Sequence, residues 1–527
     1  MNVGVSPAPP HSVGGSRNWL VIGGIVALAL ALRLYQLGSE NLWTDEWLSL
    51  GDADHLGIVN SHRPLFYLLL HRWCRFLSMT GLLQAGDGWV RLPAVFFGVA
   101  GIVLLYLLGR RLAGTSAATV ACLIMAVAVH ELDHSQEVRM YTMASALTLA
   151  SLYMLVWWVQ SDRLWVLGLH VLLTYMAILT TPTVIFGLLL AGFVALTWLI
   201  HLRNWRAATS TLIGYGALLA AWWPLNRYAR MAIKAGHLNW IPQPPKWALV
   251  SLHNELLTEA LGNVHKFQPS HLFQTAVAVL VLLLIGAAVF AFRRREPEAR
   301  PVGLIVIWFY TIAVATYSTS VLGHPVWILR YFHCAAPALY LLLGIGIVSL
   351  WRRARPVGLL LGGALIALIA VAAADYYRLP VHENWRRASA MVAEEAASED
   401  VVAIAGLKGL FKRYYHGRGV VCEVAPGISE GTKQADALLA DLLNQIPFHT
   451  GRTWIVVRED PRFERVAYLQ RFEQYLREQG VVPRVRVVRT TQGQLDVIDF
   501  VSTVAPPNVC NSSENKATKD DQADRRL

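Results

Sequence analysis

Two adjacent carboxylates stand in the run Asn41-Leu42-Trp43-Thr44-Asp45-Glu46, just past an apolar stretch, Trp19 to Leu37, that is long enough to span a bilayer. A carboxylate near lipid headgroup depth is suited to drawing a proton from a hydroxyl or amine as that group attacks an electrophilic carbon. Its neighbour could orient it, bind the acceptor or help to hold a cation. The plainer role for the pair is a helix cap at the start of a solvated loop.

A second polar group follows at Ser135-Gln136-Glu137-Val138-Arg139-Met140-Tyr141, close after His130, Glu131, Asp133 and His134. On a helix Glu137 and Tyr141 share a face and could present a carboxylate and a phenol to a polar ligand, while Arg139 meets an anion. The alternative is an ion pair that orients a helix end. A third group, Arg330-Tyr331, follows His324-Pro325-Val326-Trp327. Its arginine can bind a phosphate bidentately and its tyrosine can add a hydrogen bond, or the pair can simply snorkel in an aromatic belt. Trp240-Ile241-Pro242 with Pro244-Pro245 adds a rigid aromatic loop.

The elements that must position these groups are membrane helices. Of 527 residues, 55% are hydrophobic and 15% charged, and the mean hydropathy is +0.42. One globular core could not bury that much apolar surface. About eleven apolar segments are long enough to span: 19–37, 92–109, 115–131, 141–160, 164–179, 182–200, 208–225, 272–292, 302–320, 331–350 and 357–374. The net charge of +11 sits largely in short arginine clusters between them, which argues for loops facing anionic lipid and against a nucleic-acid partner. Arg110-Arg111, Arg163, Arg203 with Arg206, Arg293-Arg294-Arg295 and Arg352-Arg353 with Arg355 all fall on one side under this count. That side is the expected cytoplasmic face, with the N-terminus inside and Asp45 outside. The first helix is read as retained, since no small-residue cleavage site follows it.

The expected outer face gathers residues 38–91, 132–140, 226–271 and 320–330, with 64–77 patterned as a helix lying in the interface. Residues 376–505 alternate strand-like runs (400–404, 420–424, 453–458, 482–488, 495–500) with helical stretches (384–397, 432–444, 462–478). They predict a soluble α/β domain with a largely parallel sheet on the outer side, for acceptor recognition or support. No Gly-rich phosphate loop occurs in it. Residues 506–527 are polar and expected to be disordered. The expected domains are thus 1–375, 376–505 and the tail 506–527. The five cysteines show neither C-x-x-C nor metal-ligand spacing, so they support neither a disulfide framework nor a zinc site.

Leu42-Trp43-Thr44-Asp45-Glu46, His62-Arg63-Pro64-Leu65-Phe66-Tyr67, Arg91-Leu92-Pro93, Ser135 to Tyr141, Trp240-Ile241-Pro242, Arg330-Tyr331 and Asn384-Trp385-Arg386 come in a telling order and spacing. In this the chain resembles the GT-C membrane glycosyltransferases, in the branch of bacterial relatives of protein O-mannosyltransferases and the lipid A aminoarabinose transferase, over about residues 19–390. The resemblance implies a GT-C-like polytopic helical protein that takes a sugar from a polyprenyl-phosphate donor. The sugar passes to a lipid, glycan or protein acceptor on the outer face, usually with inversion. It implies Asp45 as the base, with Glu46 beside it, and His62 and Arg63 near the donor phosphate or a metal. Glu137 and Arg139, with Tyr141, would line the cavity, and Arg330 and Tyr331 would face the lipid phosphate.

Relatives often read His-Pro-Pro where this chain has His62-Arg63-Pro64, and Thr-His-Tyr where it has Thr181-Pro182-Thr183. A divalent metal is therefore compatible with the sequence but not required by it, and Arg63, Arg139 and Arg330 could neutralise the leaving phosphate without one. The expected location is a bacterial inner (plasma) membrane, with the C-terminal domain periplasmic or extracellular. The alternative is a polytopic transporter or lipid flippase, and a further one is a non-catalytic sensor whose outer domain binds the ligand.

Overall fold

The computed structural model describes residues 15–54, 64–234, 241, 243–258, 271–323, 326–378, 382–405, 407–424, 451–458, 474, 477, 484–489 and 494–502. It is mostly helical, and every one of the eleven apolar stretches falls largely within helix. Among the described residues six helices are long and apolar enough to cross a membrane: Gly88–Val127, Tyr141–Ser161, Pro182–His201, Leu272–Arg293, Pro297–Val321 and Arg355–Arg378. Asn18–Leu34 and Leu164–Thr180 are shorter apolar helices. Large apolar side chains stand largely exposed on these helices, among them Leu20, Phe96, Phe193 and Leu360. Outward-facing apolar residues with backbone bonded inside the helix suit a lipid solvent, and the chain is an integral membrane protein.

The helix Gly88–Val127 consists of two arms that meet at Gly114. At Gly114 the backbone turns to φ 82°, ψ 169°, a conformation that costs a glycine little. Beyond it the chain runs back along itself, with Cys122 Sγ donating to the Ile102 carbonyl at 3.3 Å. The second arm ends at Ala128, which is extended, and this exposes the carbonyls of the last helical turn. Arg33, fully buried, reaches from the first helix to donate to the carbonyls of Met125 (3.3 Å) and Ala126 (3.2 Å) and to Ser135 Oγ (3.0 Å). A cation at a helix C-terminus is favourable there, and the broken helix is closed by a partner distant in sequence.

The break lets a separate short helix, Val129–Ser135, carry its five polar residues inward, and all seven of its residues are buried. The tenth apolar segment also begins differently from the expected 331–350. A single 3-10 turn, Leu329–Phe332, comes first, and the helix proper is Ala336–Arg353. This helix is buried from Ala336 through Ser349. It lies so close to the second arm that a Cβ on Gly344 would come 2.5 Å from the Ala117 carbonyl oxygen. The contact packs side by side the helix that follows the Arg330 turn and the arm that leads into the short helix bearing His130 and His134.

In the C-terminal region five strands form one sheet: β1 (Val401–Ala405), β2 (Val420–Val424), β3 (Gly451–Arg458), β4 (Arg484–Arg489) and β5 (Gln494–Ser502). The order is β2-β1-β3-β5-β4. Only β1 with β2 and β1 with β3 pair in parallel, while β5 runs antiparallel to both β3 and β4. The sheet is therefore mixed and not largely parallel, because β5 follows β4 as its direct antiparallel neighbour. The helix expected over 384–397 is Trp385–Glu395. The helical stretch expected over 432–444 lies outside the described residues, as does 462–478 apart from Gln474 and Arg477, and so does the tail 506–527.

Candidate active site

The segment after the first helix contains the helix Thr44–Asp54, whose start is fixed by two carboxylates while a third points elsewhere. Glu46 accepts from the Trp43 N–H at 3.2 Å, the back-reaching half of a capping box. Glu383, from the far end of the chain, accepts from the Thr44 N–H at 3.1 Å and lies 3.2 Å from the Thr44 hydroxyl. Asp45 carries no capping bond and projects toward two arginines.

Glu46 is wholly buried and fully engaged. Arg91 grips it with two bonds, Nε to Oε1 at 2.8 Å and Nη2 to Oε2 at 2.7 Å, and the Val138 N–H adds a third at 2.8 Å to Oε1. Arg91 in turn donates to the carbonyls of Leu37, Glu40 and Asn41. This bidentate pair joins three segments and leaves Glu46 no open face for a substrate. The cap and the chemical role proposed for the acidic pair are divided: Glu46 supports the helix start and Asp45 faces the open side.

Asp45 is 24% exposed, and its Oδ2 receives Arg330 Nη1 at 2.6 Å and stands 3.6 Å from Arg139 Nη2. Arg139 also donates to the Asp45 carbonyl (3.1 Å) and to Ser49 Oγ (2.9 Å). Burial pushes the Asp45 carboxyl up, but Arg139 and then Arg330 outweigh it and hold the group below its ordinary value. The Arg139 guanidinium lies 5.9 Å from the centre of the Tyr141 ring. Tyr331 is half-buried and packs on the apolar core beside Arg330. Of the nine candidate residues, Asp45, Arg139, Tyr141 and Arg330 meet in one corner. His62 and Arg63 lie outside the described residues.

Glu137 faces away from that corner, into a buried polar belt. Its Oε1 is 3.4 Å from His382 Nε2 and its Oε2 is 3.6 Å from His134 Nδ1. His382 stacks on Trp43, with ring centres 4.4 Å apart, and its Nδ1 is 3.2 Å from Glu40. Burial alone would lower the His382 imidazole, but Glu137 and Glu40 hold it well above its ordinary value, so it pairs as a cation. Among the described residues two groups could hold a metal ion by ligand spacing, His130 with His134 and His333, and Asp133 with Glu137 and His382. A cleft of about 440 Å³ borders this belt, lined by Glu40, Arg91, His382, Arg378 and Arg386 and not by Asp45.

Sequence reasoning singled out neither Arg91, Glu383, His382 nor His333 as site residues. Arg91 was within reach as a charge at the very edge of the apolar segment 92–109, where it needs a partner. Glu383 and His382 carry no local signal, since their partners lie 339 and 342 residues away in sequence.

No protein-family model and no curated protein matches the sequence. Solved structures do. ArnT from Cupriavidus metallidurans bound to undecaprenyl phosphate matches with a TM-score of 0.50 and 14% identity, over 94% of this chain and 100% of that one. The apo form of the same protein gives 0.48 and 15%, over 93% and 99%. The archaeal oligosaccharyltransferase AglB from Archaeoglobus fulgidus, in complex with an inhibitory peptide and a dolichol-phosphate, gives 0.49 and 12%, over 84% and 69%. At such identity the likeness is one of fold: this chain resembles the GT-C membrane glycosyltransferases along nearly its whole length.

Proposed function

We propose that the chain is a membrane glycosyltransferase that moves a sugar from a polyprenyl-phosphate donor to a lipid, glycan or protein acceptor on the outer face, with Asp45 as base. The observation that carries this is a partly exposed carboxylate whose single oxygen Oδ2 is shared by Arg139 and Arg330. The undecaprenyl phosphate bound to ArnT, a protein of the same fold, supports the donor class.

In the reaction the acceptor oxygen or nitrogen forms a bond to the anomeric carbon as the bond from that carbon to the phosphate oxygen breaks. The electron pair leaves with the polyprenyl phosphate, and the acceptor proton goes to Asp45. Arg330 and Arg139 would take the phosphate charge, with Arg63 and His62 as further candidates. Transfer of Arg330 from Asp45 to the donor phosphate would do two things at once. It would neutralise the leaving group and relieve the carboxylate of the partner that weakens it as a base. Glu46 acts through Arg91 as support and not on the sugar. Tyr141 and Tyr331 frame the arginines.

In this reading eleven crossings put the N-terminus in the cytoplasm and Asp45 and the sheet region outside. The transporter or flippase alternative needs its charges at mid-membrane, whereas Asp45, Arg139 and Arg330 sit on short helices, bends and turns between the long helices. The test is transfer by purified protein from polyprenyl-phosphate sugars to membrane acceptors, wild type against Asp45→Asn. Undiminished transfer by the variant would remove Asp45 as base, and no transfer by wild type to any acceptor would favour the alternative.

A further inference from the structure

Beside the Asp45 corner lies a group of side chains that the transfer mechanism leaves unused. His130 and His134 stand one turn apart on Val129–Ser135, and His333 follows the 3-10 turn that bears Arg330. All three are buried, at 0%, 4% and 1% exposure. The rings face one another, with centres 4.5 Å (His130 and His134), 5.0 Å (His130 and His333) and 5.1 Å (His134 and His333) apart. None of their six ring nitrogens makes a well-formed hydrogen bond, the nearest carboxylate oxygens standing 3.5 Å from His333 Nε2 and 3.6 Å from His134 Nδ1.

Each neutral imidazole carries one N–H donor and one acceptor, and leaving either unmade in a buried site is costly. The same protein shows what a satisfied buried histidine looks like. His170 bonds Ser151 through Nδ1 at 3.0 Å and Tyr215 through Nε2 at 3.0 Å. Three buried histidines with nitrogens this close together have a different use, since neutral imidazole is a common ligand of divalent transition metals.

We infer that His130, His134 and His333 form a divalent transition-metal site, of zinc type by its ligands. One ligating atom from each lies within 4.8 Å of the other two. A tetrahedral zinc with bonds of about 2.0–2.1 Å wants its nitrogens about 3.3 Å apart. Small ring rotations close that gap. Carboxylates stand at both ends: Glu131 Oε2 is 3.5 Å from His333 Nε2, and Glu137 Oε2 is 3.6 Å from His134 Nδ1. Each can accept from the outer N–H of a ligating ring, which fixes the tautomer, or Glu131 can complete the shell. The second acidic group, Asp133 with Glu137 and His382, is the weaker claimant because His382 already pairs with two carboxylates.

The ion positions and does not react. It ties the short helix, from which Glu137, Val138 and Arg139 follow directly, to the turn that presents Arg330. Both arginines that hold Asp45 are thereby referred to one centre. The assignment stands whether or not the protein transfers sugar.

Cobalt(II) titration of the full-length, metal-stripped protein in detergent is the test, with zinc content measured in parallel. Wild type is expected to take up one equivalent and give the intense visible band of a tetrahedral nitrogen site. His130→Ala and His333→Ala, checked for monodispersity, are expected to lose both band and zinc, while Asp45→Asn keeps them. Chelation is expected to lower the melting temperature of wild type and not that of His333→Ala. A folded wild type without saturable cobalt uptake would overturn the site. So would a band that survives His333→Ala but vanishes in His382→Ala.

Discussion

Asp45 and Asp87 are both acidic residues held between two arginines, yet they are built for opposite ends. Asp87 is 4% exposed, and four bonds consume its two oxygens. Arg413 donates to Oδ1 at 3.0 and 2.8 Å, and Oδ2 takes Arg386 at 3.1 Å and the Tyr414 hydroxyl at 2.7 Å. The same Tyr414 hydroxyl accepts from the Leu42 N–H at 2.8 Å, so this knot fastens the C-terminal region onto the segment that carries Asp45. Asp45 is six times as exposed and offers both arginines one oxygen. The presence of arginine does not separate the two roles. What separates them is whether the carboxylate is saturated, because a saturated buried pair resists exchange while a half-engaged one can trade its partner for a phosphate.

The comparison can be broken most directly at its functional end. Asp45→Asn is expected to reduce single-turnover transfer by about 10³-fold, within the range a positioned general base supplies, with the melting temperature nearly kept. At the structural end, Asp87→Ala should cost about 3–5 kcal/mol, the usual cost of removing one partner from a buried ion pair. Thermal unfolding in detergent reads that loss, and transfer per folded molecule should survive it. If Asp87→Ala spared stability and abolished transfer, the two roles would have been assigned the wrong way round.

A third test sharpens the Asp45 side through pH. The Asp45 carboxyl lies below its ordinary value of 3.8 because the arginines outweigh burial. Its charged form, and the stability drawn from it, is therefore present above the unfolded-state value and lost as pH falls through the lowered one. Arg330→Gln removes one of those arginines, so the acid limb of kcat/KM, which reports the free enzyme, should move to higher pH. A limb that stayed in place would mean Asp45 is not the titrating base. The smallest effect is expected from Glu383→Gln, which weakens acceptance from the Thr44 N–H and should cost about 1 kcal/mol, a typical capping value. Transfer should fall only a few-fold, mainly through KM.

Much of this protein was legible in its residues. Most of the apolar stretches are helices where hydropathy alone would draw them, since in lipid a backbone must satisfy its own bonds and a long apolar run has almost no other form. The stretch 331–350 starts late, at Ala336, and 115–131 breaks at Ala128. Asp45, Arg139 and Arg330 could be named because a charge near membrane depth is costly and wants a reason. The role of Glu46 was not legible, as adjacent side chains on a helix point about 100° apart and only the position of Arg91 decides which is enclosed. The sheet was mispredicted in direction for a related reason: strand-like alternation marks a strand but says nothing of which neighbour it joins.

The sequence by itself determined the medium, the helical class and the short roster of charged residues that could do chemistry. Tertiary structure decided how they group. It placed Arg330 285 residues along the chain from its partner Asp45, gave Glu46 to Arg91, and gathered His333 with His130 and His134. These are contacts of long sequence separation, settled by the break at Ala128, the turn at Gly114 and the close approach at Gly344. Local residue patterns carry the energy of single helices, whereas the pairing of buried polar groups depends on which helices meet, and only packing fixes that.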